Sequence, residues 1–258
     1  MPRKHQGISR QVNRETKPHG VARVISKRGF CSRSVAENLV REGRVSLRGK
    51  IVHDPDTPAF ENDEIAVDGK PVEAAQKFYF AMNKPRGIVT TASDEKGRKT
   101  VMDLFREQYA KLFPGKPVPH ISPVGRLDAA SEGLLLFTND TQWADALLQT
   151  RDRHLKIYRV QVAGKPTAAE LEQMEKGFNV PPRVFGESEE FMHAERAVLH
   201  SEGEKNCWLE ITLSEGKNRE IRRMLAHLGY EVMRLMRIQF DNFTLNDLKP
   251  GEIRAIQV

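Results

Sequence analysis

The sequence predicts an α+β protein of two domains, the second with a mixed, mainly antiparallel sheet flanked by helices. Residues 20–73 have the pattern of two short helices followed by two hairpins. From Lys77 to the end at residue 258, strand and helix patterns alternate without a regular βαβ repeat, which disfavours a parallel sheet. Residues 74–76 between the two parts have the composition of a linker. A chain of 258 residues with 39% apolar residues is long enough for two such cores.

Positive charge is concentrated at the beginning of the chain. Residues 1–50 hold 13 Lys and Arg against 3 Asp and Glu, whereas the remaining residues hold 28 against 32. Residues 1–19 are polar, basic and without periodicity, which predicts a disordered arm. A basic front end on a near-neutral body indicates a polyanionic partner, with nucleic acid ahead of membrane, although a solvated tail has the same composition.

Several classes of function are disfavoured by what the sequence lacks. Cys31 and Cys207 form no CxxC motif and no disulfide framework, which favours a cytoplasmic location. The His residues are scattered and no phosphate-binding loop is present, so no metal and no cofactor are expected. No apolar run reaches the ~18 residues of a membrane span, and the basic N-terminus lacks the apolar core of a signal peptide. We expect no membrane association, and we expect a monomer.

Two helices open the N-terminal domain. Residues 21–28 form the first helix pattern, which Gly29 ends. Ser32 is a suitable N-cap for a second helix that stops at Gly43, and the apolar side of this helix is predicted to contain Val35, Leu39 and Val40.

Two hairpins complete the N-terminal domain. The β-rich segments around residues 44–47 and 51–52 flank a turn at residues 48–50. The second hairpin, residues 64–72, contains an Asp-Gly pair at positions 68 and 69, a strong turn signal.

The larger domain begins with a strand predicted at Phe78–Met82 and a turn at Asn83–Gly87. Further strands and helices follow from apolar runs, alternating patterns and caps. They are a buried strand at residues 134–137, a helix after caps at 138–140, strands at 157–162 and 208–213, and a helix at 167–176.

Asp128 is the candidate catalytic residue that the local sequence offers, although spacing alone favours an ordinary turn Asp. Residues 123–140 read PVGRLDAASEGLLLFTND, with Asp128 two positions after Arg126. A Pro-rich approach, residues 114–123, lies on one side and the apolar run 134–137 lies on the other. A lone acid on a loop between rigid segments suits a site that must meet one atom of a substrate. The alternative is an ordinary turn Asp beside a surface Arg.

Residues 213–229 have the pattern of a strand, a glycine turn and a helix. The helix buries apolar residues at i, i+3, i+4 and i+7, namely Ile221, Met224, Leu225 and Leu228. Arg219, Arg222 and Arg223 form a cationic stripe on another face, which by itself favours an ordinary solvated helix face.

Three ordered motifs carry a resemblance to a known family. They are GRLDAASEGLLLFTND at residues 125–140, KIYRVQVAG at 156–164 and LSEGKNREIRRMLAHLGYEVMRLMR at 213–237. They resemble the bacterial ribosomal RNA pseudouridine synthases of the RsuA and RluB/E/F type, and the resemblance extends over roughly Gly20 to Arg254. These enzymes detach uracil from its ribose and rejoin it through carbon 5 without a cofactor.

The resemblance implies three catalytic residues. Asp128 acts at the sugar, either by attacking the anomeric carbon or by removing a sugar proton. Tyr158 stacks on the base, although a strand tyrosine is often only part of a core. Arg222 pairs with Asp128 and keeps it ionised.

The same resemblance implies a set of substrate-binding residues. Leu235 lies beneath a base that is flipped out of folded RNA. Five cations are expected to contact phosphates of the RNA, namely Arg126, Lys156, Lys217, Arg219 and Arg223.

The N-terminal helices and hairpins resemble an S-four-type RNA-binding domain, named after a small-subunit ribosomal protein. In such domains a basic helical face contacts the RNA backbone, although an ordinary charged surface has a similar composition. The residues of this chain that match the basic face are Lys27, Arg28, Arg33, Arg41 and Arg44.

The predicted function is therefore that of an rRNA pseudouridine synthase, with ribosomal RNA or a ribosomal assembly intermediate as its partner. KIYRVQVAG and QFDNFTLNDL favour the large-subunit branch, whereas the N-terminal module suits the small-subunit enzyme equally. The main alternative is a non-catalytic RNA-binding or ribosome-assembly protein. A nuclease is disfavoured because no cluster of metal-binding acids is evident. Residues 178–201 match no motif.

Overall fold

The computed structural model describes residues 17–73, 76–91, 94–149, 154–182 and 188–258. The chain divides into two compact units, with the division between Gln76 and Lys77. Residues 1–16 of the predicted arm and residues 74–75 of the predicted linker lie outside the described residues.

The N-terminal unit consists of two helices and short strands. In chain order they are β1 His19–Gly20, α1 Val21–Lys27, α2 Arg33–Arg41, β2 Val45–Leu47, β3 Lys50–Val52, β4 Pro58–Ala59, β5 Ile65–Val67 and β6 Lys70–Pro71. Four of the strands form a sheet in the order β3-β2-β5-β6, and β1 pairs with β4. Both predicted hairpins are present.

Local chemistry explains the boundaries of these elements. The Ser32 hydroxyl accepts a hydrogen bond from the Val35 backbone N–H at 3.2 Å and begins α2, as predicted. Arg48 and Asp68 stand first in the two hairpin turns with φ of 50° and 51°, and each is followed by a glycine with positive φ. Two left-handed residues in succession are the geometry that a tight two-residue hairpin requires.

Two predictions for this unit are wrong. Val35 is 47% exposed, while Ala36 and Val40 are buried. Positions 36 and 40 are one helical turn apart and share the face that packs on the core, so the apolar stripe is shifted by one position from Val35. The predicted arm also ends earlier than residue 19, because His19 pairs with Ala59.

The second unit contains the remaining elements. They are β7 Tyr79–Lys84, α3 Val101–Leu112, β8 Ser122–Val124, β9 Glu132–Thr138, α4 Thr141–Leu148, β10 Lys156–Ala163, α5 Ala168–Lys176, β11 Phe178–Val180, β12 Glu190–Met192, β13 Arg196–Glu202, β14 Asn206–Leu213, α6 Glu220–His227, β15 Val232–Phe240, β16 Phe243–Thr244 and β17 Ile253–Ala255.

A nine-stranded sheet organises this unit. Its main path is β13-β14-β10-β15-β9-β7-β17, with β16 on β15 and β8 on β9. The strand pairs are antiparallel except for β15 with β9, which run parallel. The predicted mixed, mainly antiparallel sheet is therefore confirmed.

Helices cover both faces of the sheet. Side chains of α3, α5 and α6, such as Phe105, Leu171 and Met224, belong to the larger apolar cluster. Leu147 of α4 belongs to a second cluster with Leu134 and Leu136 of β9. Within the described residues, no helix is long and apolar enough to cross a membrane.

Two predictions about where elements begin and end concern the start of α4 and the end of β7. Asp140 caps α4 as predicted, since its carboxylate accepts from the backbone N–H groups of Gln142 and Trp143. The turn predicted at residues 83–87 begins two residues later, because Asn83 and Lys84 belong to β7 and are buried. Pairing with β9 holds them extended despite their turn-forming composition.

Candidate active site

Asp128 lies on the loop between β8 and β9, as predicted. Its side chain is 45% exposed, and its Oδ2 lies 3.3 Å from Nη1 of Arg219. The carboxylate is therefore accessible to a substrate while a cation sits beside it.

A buried lysine fixes the backbone of the Asp128 loop. Nζ of Lys84, on the last residue of β7, donates to the carbonyl oxygens of Ser131 at 2.7 Å, Asp128 at 3.1 Å and Pro85 at 3.1 Å. Burial lowers the pKa of Lys84 to about 8, although the negative charges of Asp128 and Glu132 oppose this shift. The ammonium group joins the middle and the end of the loop to the end of β7, so it helps to fix where the Asp128 side chain starts.

The predicted ion pair between Arg222 and Asp128 is wrong for this structure. Arg222 donates to the carbonyl oxygens of Ala130 at 3.2 Å and Val232 at 3.1 Å. Arg219, not Arg222, makes the direct contact, because it precedes α6 with a left-handed φ of 52° and so is not part of the predicted helical stripe. Arg222 nevertheless holds the same loop that Lys84 holds.

The charge of Arg222 still acts on the site. Burial lowers the pKa of Arg222, and so do the nearby charges of Arg219 and Arg86, whereas the charge of Asp128 raises it. Asp128 therefore has one direct cationic neighbour and a second that is held by the backbone beside it.

The parallel contact between β9 and β15 requires a glycine next to the loop. Gly133 lies opposite Arg237 in the register and has φ of 102°. A Cβ at this position would collide with the backbone carbonyl of Arg237. Only glycine permits the two strands to approach here, and this approach places the Asp128 loop beside β15.

A cavity of about 230 Å³ opens beside Asp128. Its lining includes Tyr158 of β10 and Leu235 of β15, which are 9% and 8% exposed. Arg237 lies directly opposite Tyr158 in the register, so both side chains project from the same face of the sheet. The cavity is smaller than the ~300–1,000 Å³ typical of sites for drug-sized ligands, which suits a single base.

The structure brings most of the predicted substrate-binding residues to this cavity. Besides Asp128, Tyr158 and Leu235, the lining contains the predicted cations Arg126, Lys156, Lys217 and Arg219. Arg222 and Arg223 are not part of the lining. Arg223 instead contacts Glu190 and the carbonyl oxygen of Pro181.

Besides Arg219, which pairs with Asp128, two further lining cations have protein partners in this structure. Nζ of Lys217 donates to the carbonyl oxygen of Phe191 at 2.7 Å and also contacts Glu215. Nζ of Lys156 donates to the carbonyl oxygen of His154 at 3.0 Å, and burial is the main cause that lowers its pKa. Any phosphate contact by these two residues has to compete with these partners.

Sequence reasoning missed three buried polar residues of the site, namely Lys84, Glu220 and Arg237. Lys84 is in NKPRG, which is typical of a turn. Glu220 and Arg237 line the cavity, but in the same motif the predicted site roles went to nearby residues such as Arg222 and Leu235. Among the described residues, no group of three His, Cys, Asp or Glu side chains is placed to hold a metal ion.

In the N-terminal unit, two of the predicted RNA-binding residues have structural contacts. The Arg28 guanidinium donates to the carbonyl oxygens of Val72, Glu61 and Asp63, and burial lowers its pKa. These bonds tie the end of α1 to the segment between β4 and β5 and to the residue after β6, so Arg28 has structural contacts, and its RNA-binding role stays a prediction. Lys27 pairs with Glu61 at 2.7 Å.

The other three predicted RNA-binding residues remain at the surface. Arg33 and Arg41 flank Glu37 on α2, and Arg44 forms a two-bond pair with Asp68. Their side chains are 59%, 56% and 47% exposed. Exposed ion pairs of this kind are worth about 0–1 kcal/mol and exchange readily for other partners.

The fold and the site together define a class. A mixed sheet carries a loop aspartate at the mouth of a base-sized cavity, and a tyrosine and a leucine line that cavity. This is the arrangement expected of an RNA pseudouridine synthase. The model of the family described as RNA pseudouridylate synthase matches residues 78–227, and that of the S4 domain matches residues 21–65. The chain belongs to the RNA pseudouridylate synthase family.

Similar proteins span nearly the whole chain. Ribosomal large subunit pseudouridine synthase B of Bacillus subtilis is 33% identical, over 91% of this chain and 90% of that protein. Ribosomal large subunit pseudouridine synthase E of Vibrio vulnificus is 30% identical, over 88% of this chain and 95% of that protein. A solved pseudouridylate synthase structure superposes with a TM-score of 0.61 at 26% identity, over 93% and 96% of the two chains.

The two arginines near Asp128 should respond differently to removal. Arg222→Ala removes the hydrogen bonds to the partly buried carbonyls of Ala130 and Val232, each worth about 0.5–1.5 kcal/mol. Arg219→Ala removes only an exposed pair, worth about 0–1 kcal/mol. We expect a lower free energy of unfolding and lower activity for Arg222→Ala, and near-normal stability for Arg219→Ala. Equal stability of both variants in urea titrations would contradict this assignment of contacts.

Proposed function

We propose that this chain converts a uridine of large-subunit ribosomal RNA into pseudouridine. The observation that carries the proposal is the meeting of Asp128, Tyr158 and Leu235 around one cavity. Two similar proteins bear the name ribosomal large subunit pseudouridine synthase, which supports this substrate.

The reaction is balanced without a cofactor. The bond between the anomeric carbon and N1 of uracil breaks, and its electron pair leaves with the base. After the base has turned, a bond forms between the anomeric carbon and C5. C5 loses a proton, and N1 ends with one. Asp128 acts at the sugar in the first step, as a nucleophile or as a base.

The residues of the cavity suit the remaining needs of this reaction. The ring of Tyr158 offers a surface on which the detached base stacks, a contact worth about 1–3 kcal/mol. Leu235 supplies the apolar side of the same space. A target within folded RNA has to leave its stack to enter, and Arg126 and Arg219, both near Asp128, suit the phosphates of the flipped nucleotide.

Mapping pseudouridine positions in rRNA is the direct test of this proposal. Ribosomal RNA from cells with and without the gene should differ at a large-subunit position. The purified protein should restore that position on unmodified rRNA. An unchanged map would favour a non-catalytic role in RNA binding or ribosome assembly.

Removing the N-terminal unit should weaken RNA binding and reduce its salt dependence. A chain starting at Lys77 keeps Asp128, Tyr158 and its own apolar clusters. It loses the exposed Arg33, Arg41 and Arg44, and with them the counterions that RNA phosphates release on contact. We expect lower affinity and a shallower slope of log affinity against log salt. Identical slopes for the full and shortened chains would show that this unit does not bind RNA.

A further inference from the structure

Two buried polar atoms at the cavity have no hydrogen-bond partner among the described residues. They are Oε1 of Glu220 and Nη2 of Arg237. Both side chains are only 3% exposed, and both residues line the cavity beside Asp128 and Tyr158. Buried polar groups nearly always have a partner, so two unpartnered ones at one cavity indicate a ligand that supplies the missing contacts.

The position of Glu220 is fixed by its other oxygen. Oε2 accepts a hydrogen bond from the Lys217 backbone N–H at 3.1 Å, across the turn that leads into α6. Burial raises the pKa of Glu220 to about 8, and the hydrogen-bonded carboxylate of Glu215 contributes in the same direction. The Lys217 backbone N–H and side chain oppose this shift. Lys156 of β10 also interacts with Glu220 electrostatically.

The position of Arg237 is fixed in the same manner. Its Nε donates to the carbonyl oxygen of Leu134 at 2.8 Å, and its guanidinium lies over the ring of Phe240 at 5.0 Å. Arg237 and Tyr158 share a sheet face and both line the cavity, so the unpartnered Nη2 belongs to the side of the sheet on which a base would stack on the tyrosine ring.

We propose that Glu220 is a further catalytic residue, which hydrogen-bonds the uracil edge through Oε1 as an uncharged carboxylic acid beside the donor Arg237. This inference rests on the proposed function, because it concerns the base of that reaction. The uracil is then contacted by Oε1 of Glu220 and Nη2 of Arg237. Glu220 carries no charge when the bond to the base breaks.

The chemistry of the first step explains why the charge state matters. When the bond to N1 breaks, the electron pair stays on the uracil and spreads to its carbonyl oxygens. Nη2 of Arg237 suits such an oxygen, and a fixed donor at developing charge is typically worth about 10²–10³ in rate. A neutral Glu220 offers Oε1 to the uracil edge without the repulsion that a carboxylate would exert on that charge. An ionised Glu220 at the same place repels it.

Two nearly isosteric variants separate hydrogen bonding from charge. Glu220→Gln keeps an uncharged group that accepts from Lys217 and offers a polar atom to the cavity, whereas Glu220→Met offers none. The assay is single turnover at pH 7 on an unmodified rRNA segment that contains the target uridine. We expect the rate to fall by about 10²-fold or more in Glu220→Met and by about tenfold or less in Glu220→Gln. Equal losses for the two variants, or no loss for Met, would overturn the proposal.

The pH profile distinguishes Glu220 from another group that titrates nearby. The wild-type rate should fall above pH about 8, where Glu220 ionises. Lys84 also has a pKa of about 8, so it predicts a fall in the same range. The fall near pH 8 should disappear in Glu220→Gln, because the amide does not ionise. If the Gln variant keeps it, Lys84 is responsible and the assignment to Glu220 is wrong.

Thermal unfolding provides a readout that does not depend on activity. The folded-state pKa of Glu220 lies above its ordinary value of 4.5, so folded wild-type protein holds an extra proton between pH 4.5 and about 8. Its stability relative to Glu220→Gln should therefore fall as pH rises through this window. A constant difference would overturn the proposal. Wild-type protein that forms no pseudouridine in any rRNA would instead refute the proposed function, whatever the unfolding data give.

Discussion

Replacing Asp128 by Asn should abolish pseudouridine formation while leaving the fold and the RNA affinity nearly unchanged. The amide keeps the size of the side chain but lacks the charge and the basicity that act at the sugar. The side chain is 45% exposed, and its ion pair is with Arg219, so the stability cost should stay within the ~0–1 kcal/mol of a surface pair. The measurements are single-turnover isomerisation, RNA binding and the midpoint of unfolding.

A matched control is available in Asp247, which forms a similar exposed pair with Arg254 at 3.0 Å. Asp247→Asn removes an equivalent charge outside the cavity and should retain full turnover. Residual activity of Asp128→Asn within about tenfold of wild type would remove Asp128 from the chemistry, since loss of the reacting group itself costs far more.

The elements that sequence predicted well are those with local causes. The Asp-Gly pair at 68 and 69, the Ser32 cap and the Asp140 cap act within four residues, so spacing alone identifies them. Tyr158 on its strand follows likewise from simple alternation. The roles of Asp128, Tyr158 and Leu235 needed the resemblance to a family, because their meeting joins strands far apart in sequence.

The residues that sequence misplaced have causes in the tertiary structure. Lys84 belongs to a turn-like pentapeptide, but pairing of β7 with β9 extends it and buries it. Arg222 has the right residue type for an ion pair with Asp128, but the left-handed backbone at Arg219 gives that contact to Arg219. Glu220 looks like an ordinary acidic residue of a first helical turn, and only the packing of α6 against the sheet makes it a buried acid.

Lys84→Met should be the most destabilising of the substitutions considered. Methionine matches the length of lysine but donates no hydrogen bond, so the carbonyls of Pro85 and Ser131 lose their Nζ donor, while the Asp128 carbonyl keeps the Ser131 backbone N–H at 3.0 Å. Buried acceptors without partners cost about 1–3 kcal/mol each. Against this, the shift of the Lys84 pKa from 10.5 to about 8 corresponds to about 3 kcal/mol of desolvation that Met no longer incurs.

The hydrogen bonds should outweigh the relieved desolvation, because Nζ holds three carbonyls at once and two of them belong to the Asp128 loop. We expect a net loss of about 2–4 kcal/mol in the free energy of unfolding. Activity should fall as well, since a misplacement of about 1 Å at the reacting group costs about 10²-fold. The exposed Lys249 offers a control, and Lys249→Met should change neither quantity.

The stability difference between wild type and Lys84→Met should depend on pH in a definite direction. The folded-state pKa of Lys84 is below its ordinary value of 10.5, so between pH about 8 and 10.5 the unfolded chain binds a proton that the folded chain has released. The free energy of unfolding of the wild type should therefore rise relative to that of Lys84→Met through this window. The difference between the two free energies should widen. Urea titrations at pH 7 and pH 10 test this directly. A gap that narrows, or a Met variant as stable and active as wild type, would mean that the three carbonyls are not what positions Asp128.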